Sequence, residues 1–144
     1  MKFWEKFWKL VSHKHLFFGI GLFALVIAMS FFETENKVRV NFTETEIGIR
    51  SSKYSMTVPY ELIESVQLLP LAEAGTVIDG SDNMTLRTGN WENTAWGEYT
   101  ICADLSTSNC VAMRLTDGRL FVFSRKSDAE TEELYQQLLI RLQP

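Results

Sequence analysis

A run of seventeen uncharged residues near the start of the chain constrains the fold more than any other feature. Residues 16–32 read LFFGIGLFALVIAMSFF. A run of this length lies at the short end of what crosses a hydrocarbon core about 30 Å thick. We therefore predict a transmembrane helix or signal-anchor over 16–32, a linker over 33–37, and one folded domain over 38–144. The 144-residue chain has room for only one such domain.

The charges that flank this run predict its orientation. One acidic residue, Glu5, stands before the run among four lysines, whereas acidic and basic residues balance after it. Because basic residues are retained on the cytoplasmic side, we expect a single-pass protein of the cytoplasmic membrane. Its N-terminus is then cytoplasmic and its domain extracytoplasmic. The four lysines are Lys2, Lys6, Lys9 and Lys14.

The first fifteen residues predict an amphipathic helix in the membrane interface. Aromatic and apolar residues recur there at helical spacing, with the basic residues between them. We assign Trp4 and Trp8 to the headgroup region, together with the four lysines. A cleaved signal peptide is the alternative, because Ala28-Met29-Ser30 resembles a small-x-small cleavage site. Cleavage there would release a secreted domain.

The remaining chain is acidic. The net charge is −4, of which the first fifteen residues contribute +3 and the remainder −7. A domain with this charge is not drawn to nucleic acid by its net field, so no nucleic-acid partner is expected.

The two cysteines lie in alternating segments. In EYTICADL, Cys102 alternates with Ile101, and in CVAMRL, Cys110 alternates with Val111. A hairpin centred on Ser106 would place Cys102 opposite Cys110 and Ile101 opposite Val111, which predicts a cross-strand disulfide. Two free thiols are the alternative. Zinc is not expected, because two thiolates need further ligands and no histidine follows His15.

Short alternating runs separated by turn residues predict a mainly β domain. A break is expected at residues 79–83, another at 88–90, and a tight hairpin at Thr116-Asp117-Gly118. The turn spacing is typical of a sandwich or small barrel. The expected strands are VRVNF, EIGIR, YSMTV, LIESVQL, MTLRT, GEYTICADL, CVAMRL and RLFVFS.

The chain ends in a predicted helix. Ser127 and Glu130 match a capping box, and Leu134, Leu138 and Leu142 form one apolar stripe. One such helix cannot bury its stripe alone, so it must lie on the sheet or close the end of a barrel.

This arrangement resembles the pleckstrin-homology (PH-like) fold, and its segments are similar to the bacterial PH-like domain family. The similarity covers about residues 40–142. The resemblance implies a PH-like antiparallel β-barrel or sandwich closed by one C-terminal α-helix. It rests on Val58-Pro59-Tyr60, Ile63 with Val66, Gly97, Thr116-Asp117-Gly118, and Leu134-Tyr135.

The resemblance implies a binding or assembly module attached to a membrane, without catalytic residues. Eukaryotic relatives bind phosphoinositides through a basic cluster between the first strands. Here the same region holds Arg39, Arg50 and Lys53 beside Glu44 and Glu46, which suits a polyphosphate poorly. That function is therefore not transferred.

Catalytic and metal chemistry find little support in the sequence. Ser-His and Cys-His catalysis need an imidazole beside the nucleophile, and the only histidines, His13 and His15, flank Lys14 beside the apolar run. The stretch DGSDNMTLRTGN begins like a calcium loop, but it has Met84 where glycine is required and Asn90 where glutamate is required. We expect no enzyme activity, cofactor or metal.

Three aromatic residues remain as a candidate interaction patch: Trp91, Trp96 and Tyr99. They form an exposed surface for a partner or for the bilayer or, alternatively, fill one edge of the core. The sequence thus predicts a membrane-anchored, non-enzymatic binding or scaffolding module that contacts another protein or a second copy of itself. The alternative function is a lipid or small-molecule binding domain that uses the barrel mouth.

Overall fold

The computed structural model describes residues 13–35 and 37–144, with side chains for 18–29 and 37–144. These residues form two compact units that divide after residue 35. The first unit contains helix α1 (His13–Glu35), in which every side chain from Phe18 to Met29 is exposed. By length and hydropathy together, no helix in the described part of the chain qualifies as a membrane span.

Helix α1 is longer than the predicted transmembrane segment. It continues to Glu35 and therefore includes the first three residues of the segment expected to be a linker. Lys14 belongs to the helical backbone. The other predicted membrane-interface residues lie outside the described residues: Lys2, Trp4, Lys6, Trp8 and Lys9.

The second unit is a mainly β domain with one C-terminal helix, as predicted. A three-stranded antiparallel sheet has the order β1-β2-β3, and a six-stranded sheet has the order β4-β8-β9-β7-β6-β5. The two sheets are not joined into a closed barrel. The strands are β1 (Arg39–Phe42), β2 (Glu46–Arg50), β3 (Ser55–Pro59), β4 (Ile63–Pro70), β5 (Thr76–Asp82), β6 (Leu86–Asn93), β7 (Gly97–Asp104), β8 (Asn109–Leu115) and β9 (Leu120–Phe123), with a 3-10 turn at Tyr60–Leu62 and helix α2 at Asp128–Leu142.

The main core lies between the two sheets and is closed by α2. Alternate residues of β1–β3 point inward, among them Ile47, Ile49 and Val58, and pack with one face of the six-stranded sheet. Leu134 and Leu138 of α2 complete this cluster, as their spacing predicted. Full burial of one such aliphatic side chain contributes about 1.5–3 kcal/mol.

The predicted hairpin between β7 and β8 is wrong, because β9 lies between these two strands. β9 pairs antiparallel with β8 and parallel with β7. One row across the sheet joins Cys102, Phe123 and Val111, so Cys102 is aligned with Val111 rather than with Cys110. The parallel pair also departs from the antiparallel architecture expected from the sequence.

The second face of the six-stranded sheet carries its own apolar cluster, which includes Ile101, Ala112 and Val122. The connection at residues 71–75 joins the two outer strands, β4 and β5, and we call it the strap. It packs Leu71 and Ala74 against this cluster. The strap is fixed by three hydrogen bonds: Leu71 N–H to Ser108 O (2.8 Å), Asn93 Nδ2 to Glu73 O (3.0 Å), and Tyr99 Oη to Ala74 O (2.7 Å).

Strand β5 was not predicted. The break expected at 79–83 falls within β5 as far as Asp82, and only Asn83 lies in the turn that follows. The break expected at 88–90 falls within β6. Gly80 of β5 lies directly opposite Gly89 of β6. A Cβ atom on Gly89 would lie 2.5 Å from the Gly80 Cα and 2.2 Å from the Asp79 carbonyl oxygen. These glycines therefore allow two backbones to approach closely, whereas the sequence suggested turns.

The start of α2 is fixed to the connection between β7 and β8. The Ser127 hydroxyl accepts a hydrogen bond from the Glu130 N–H (3.2 Å), which confirms the predicted N-cap. The Asp128 carboxylate accepts bonds from the Thr107 hydroxyl and from the backbone N–H groups of Ser108 (2.8 Å) and Asn109 (3.0 Å). These bonds, led by that from Thr107, lower the pKa of Asp128.

We predict that Gly89→Ala destabilises the domain by about 3 kcal/mol or more. The residue has φ 97°, and its new methyl group would meet the backbone of β5. The free energy of unfolding in urea measures this loss. Gly97→Ala is the control, because Gly97 also has positive φ (72°) but its methyl group would enter open space, with no contact within 4 Å. It should cost only about 1–2 kcal/mol. Equal losses for the two variants would contradict the close-approach argument.

Candidate interaction surfaces

The predicted disulfide between Cys102 and Cys110 is absent, and both thiols are free. Both residues are fully buried, and they belong to different clusters on opposite faces of the six-stranded sheet. With β9 between their strands, the two sulfurs cannot approach bonding distance without rearrangement of the sheet. The structure therefore has two free thiols, which was the alternative to the disulfide. Disulfides form in oxidising compartments outside the cytoplasm, so the free thiols give no support to the extracytoplasmic location predicted from the lysines.

Burial makes both thiols poor nucleophiles. It raises the pKa of Cys102 to about 11, with a smaller opposite effect from a hydrogen bond to Ser51, and it raises the pKa of Cys110 to about 12. Since the thiolate is the reactive species, neither cysteine is suited to covalent catalysis near neutral pH.

The structure brings the three predicted patch aromatics together but buries most of their surface. Trp91 lies directly opposite Tyr99, and the Trp96 and Tyr99 rings meet edge to face at 5.1 Å. Trp91 is 6% exposed and Tyr99 3%. An exposed patch is therefore wrong for these two, which fill the second core in agreement with the alternative interpretation. Only Trp96 remains half-exposed.

The outer strand β5 presents an apolar edge that the sequence patterns did not reveal. β5 pairs only with β6, so its other edge is unpaired within the described domain. Val77 and Ile78 on this strand are 47% and 54% exposed, and Met84 follows in the next turn. The register shifts between Val77 and Asp79, which leaves Ile78 as the irregular residue. The adjacent Val77 and Ile78 are the sequence signal for a strand here, but the Asp79-Gly80 pair that follows them favours a turn.

A groove of about 630 Å³ lies between the strap and the turn that joins β6 to β7. Its lining is substantially polar and includes Glu73, Glu92, Asn93 and Thr94. Its volume falls within the range of small-molecule sites, but those are predominantly apolar.

The outer face of the three-stranded sheet changes in charge along its length. Arg39 and Arg50 are direct cross-strand partners and both are exposed. Glu46 stands at the other end of β2, four residues from Arg50 and about 13 Å away along an extended strand. Between them, Gly48 leaves a shallow polar groove of about 400 Å³. We call the arginine end, with the exposed Lys37 and Lys53, the cationic end.

The described residues hold no group of three histidine, cysteine or acidic side chains arranged for a metal ion. The two lowered carboxyl pKa values have local causes. The pKa of Asp117 is lowered mainly by a hydrogen bond from the backbone N–H of Arg119 to its Oδ1 (3.0 Å). A second bond, from the Arg119 guanidinium Nε to its Oδ2 (2.7 Å), lowers it further. Asp128 holds the β7–β8 connection. Local hydrogen bonds therefore account for both lowered pKa values.

Comparison with protein-family models, with curated proteins and with solved structures finds no match to this chain. The resemblance to PH-like domains accordingly stays a prediction.

We predict that neither cysteine of the native protein reacts with iodoacetamide at pH 8, because both sulfurs are buried and protonated. Both should react in denaturant without any reductant. Intact mass counts the added groups. A denatured, unreduced protein that adds none would demonstrate a disulfide and contradict the strand order.

The same pKa shifts predict a loss of stability in alkali. Burial raises each thiol pKa from about 9 in the unfolded chain, so the protonated thiols stabilise the fold fully below pH 9. This contribution declines as the pH rises through about 11 for Cys102 and about 12 for Cys110. The Cys102→Ala variant should show a shallower decline in the midpoint of thermal unfolding between pH 9 and 11.

Proposed function

We propose that this protein is a membrane-attached, non-enzymatic binding module that associates with a protein partner through the edge of β5. The observation that carries the proposal is the unpaired edge with its exposed Val77 and Ile78. A second copy of the chain is the simplest partner, since each copy offers the same edge. Backbone hydrogen bonding across the two edges would supply affinity, and the apolar side chains would supply additional burial.

Attachment to the membrane is supported by helix α1. Its 23 residues rise about 34 Å at 1.5 Å per residue. Large apolar side chains are exposed from Phe18 to Met29, and the sequence has no charged residue in this interval. An aqueous environment would leave this surface unburied, which soluble proteins avoid. In the proposed orientation the N-terminus is cytoplasmic, and this orientation is supported by the four lysines alone.

The β5 edge is supported as the contact surface by the distribution of exposed apolar residues. The domain exposes five large apolar side chains, and three of them, Val77, Ile78 and Met84, lie within eight residues of one another. The other two are Leu62 and Ile140. Apolar exposure is therefore concentrated beside a sheet edge where backbone groups can also pair.

A PH-like domain remains part of the proposal at the level of architecture. Two sheets and a closing C-terminal helix support it. The parallel β7–β9 pair and the open strand order depart from the antiparallel barrel that the resemblance implied. A carrier that binds a lipid or small molecule is supported less well, because charged, amide and hydroxyl side chains make up much of the lining of the groove beside the strap.

We predict that the natively expressed full-length chain stays in the membrane fraction after alkaline carbonate extraction. Replacing two exposed residues, Leu22→Lys with Leu25→Lys, should release it, because each lysine at the centre of a span costs about 2.5–3.5 kcal/mol. The pair Leu22→Ala with Leu25→Ala is the matched control and should remain bound. Intact mass of both fractions is the measurement. A chain that begins near Phe31 in the medium would contradict the anchor.

We predict that Ile78→Lys weakens self-association at least about tenfold, because an unpaired ammonium in the contact costs more than about 1.4 kcal/mol. Two differently tagged full-length copies, mixed in detergent, are purified through one tag, and the recovered second tag is measured.

Ile140→Lys is the matched control for this experiment. Ile140 is 67% exposed, against 54% for Ile78, but it lies on helix α2 and not on a strand. The control should associate like the unmodified protein. Equal losses for both variants, or no recovery of the second tag from the unmodified chain, would count against the β5 edge.

A further inference from the structure

We propose that Met84 of each copy of the chain inserts into the groove beside the strap of a second copy. The insertion rests on the self-association proposed for the β5 edge, to which it adds a specific contact and a strand direction. The groove is the one of about 630 Å³ between the strap and the turn that joins β6 to β7. A pair of copies then contains two equivalent contacts, one at each end of the paired strands.

Met84 is the most exposed large apolar side chain that the structure describes, at 97%. It lies in the turn that joins β5 to β6, directly after the proposed contact strand. Burial of one such side chain in a contact strengthens association about tenfold or more. Because methionine is unbranched and flexible, it fits an irregular groove better than a β-branched side chain does. Met84 therefore gains more from a partner than any other side chain of the described domain.

The turn that carries Met84 is held in one conformation before any contact forms. The Oδ1 of Asn83 accepts hydrogen bonds from the backbone N–H groups of Thr85 (3.0 Å) and Leu86 (2.7 Å). It accepts a third bond from the Thr85 hydroxyl (3.1 Å). A fixed turn loses little conformational entropy on binding, so more of the gain from burial is available as affinity.

An antiparallel pair of β5 strands brings Met84 of one copy to the groove of the other. Antiparallel pairs are the more stable kind, and a two-fold axis generates one from two identical edges. An axis near the middle of β5, at residues 78–80, places position 84 opposite one of residues 72–76 of the second copy. Those residues belong to the strap and to the start of β5, and four of them line the groove: Ala72, Glu73, Gly75 and Thr76. The methionine and the groove therefore lie at matching positions on the paired edges.

The polar groups of the turn and of the groove are complementary. Glu73 and Glu92 line the groove, and neither forms an ion pair with a described residue. The turn at residues 83–85 is uncharged, and the Nδ2 group of Asn83 makes no hydrogen bond to a described residue. This amide can donate to one of the two carboxylates, whereas the aspartates of β5 would be repelled by them. The groove therefore suits the uncharged turn better than the acidic strand.

The contact between two copies is closed. Each copy uses its β5 edge, its Met84 and its groove together, so the pair leaves none of these surfaces to a third chain. Self-association through β5 is therefore expected to stop at two copies.

One test counts the methionine contacts. Full-length copies that carry two different tags are mixed in detergent, and recovery of the second tag is measured over a range of protein concentrations. Met84→Ala in one copy should weaken its association with an unmodified copy about tenfold, and Met84→Ala in both copies should weaken it about a hundredfold. Ile140→Ala in both copies is the matched control and should change little, because Ile140 is 67% exposed but lies on α2. The midpoint of thermal unfolding should be the same for all of these proteins.

A second test locates Met84 by disulfide crosslinking. A copy with Met84→Cys is mixed with a differently tagged copy with Thr94→Cys, and the mixture is oxidised with copper phenanthroline. Thr94 is exposed and lines the groove, and the native cysteines are fully buried and do not react. We expect a disulfide that joins the two tags. Gln136→Cys replaces Thr94→Cys in the control and should crosslink at background level, because Gln136 is exposed on α2.

The strand direction has its own readout. When both copies carry Met84→Cys, an antiparallel pair holds the two positions on the order of 30 Å apart, whereas a disulfide needs Cα atoms within about 7 Å. These copies should therefore not crosslink to each other. A rapid disulfide between them would show that the strands run parallel and would overturn the insertion.

The outcomes separate the methionine contact from the β5 edge. If Ile78→Lys weakens association but Met84→Ala in both copies does not, the insertion is overturned and the β5 edge stands. The same conclusion follows if Met84→Cys reacts equally with the Thr94→Cys and Gln136→Cys copies. If unmodified copies do not associate, both the insertion and the β5 edge are overturned.

Discussion

The insertion of β9 between β7 and β8 is the pairing on which the rest of the domain depends. It gives β9 a neighbour on each side in a six-stranded sheet whose outer strands are β4 and β5. It also aligns Cys102 with Phe123 and Val111, which fixes the face that each alternate residue presents. The separation of the two cysteines follows from this one arrangement.

Local patterns identify most elements but cannot choose their partners. Alternation places Ile101 and Cys102 correctly on opposite faces of β7, and Cys110 and Val111 on opposite faces of β8. Alternation alone does not say which strand lies alongside. The Asp-Gly hairpin at residues 117–118 is correctly predicted, but its second strand is inserted beside a strand distant in sequence. Local spacing favours a direct hairpin of β7 with β8 instead, and the disulfide prediction depended on that hairpin.

The candidate surfaces were harder to infer than the fold for a related reason. Gly80 and Gly89 were interpreted by their freedom in turns, whereas the structure uses their lack of a side chain for close approach of β5 and β6. Without β5 there was no exposed edge to propose. Conversely, the aromatic residues Trp91 and Tyr99 suggested a surface, but the strap covers their side of the sheet and the Tyr99 hydroxyl bonds to Ala74. Burial of this face depends on an irregular segment, which periodicity does not detect.

The parallel pairing of β7 with β9 also imposes an order on folding. During synthesis, β7 can pair with β6 as soon as both have emerged, but its other edge stays open until residues 120–123 follow. The hairpin of β8 and β9 is local and closes quickly, whereas its docking beside β7 brings together residues about twenty positions apart. Until that step, the nascent chain keeps Cys102 and its neighbours uncovered, and the pairing of β7 directly with β8 is the nearest competing structure. The contact between β7 and β9 is thus the one that excludes the misfolded hairpin.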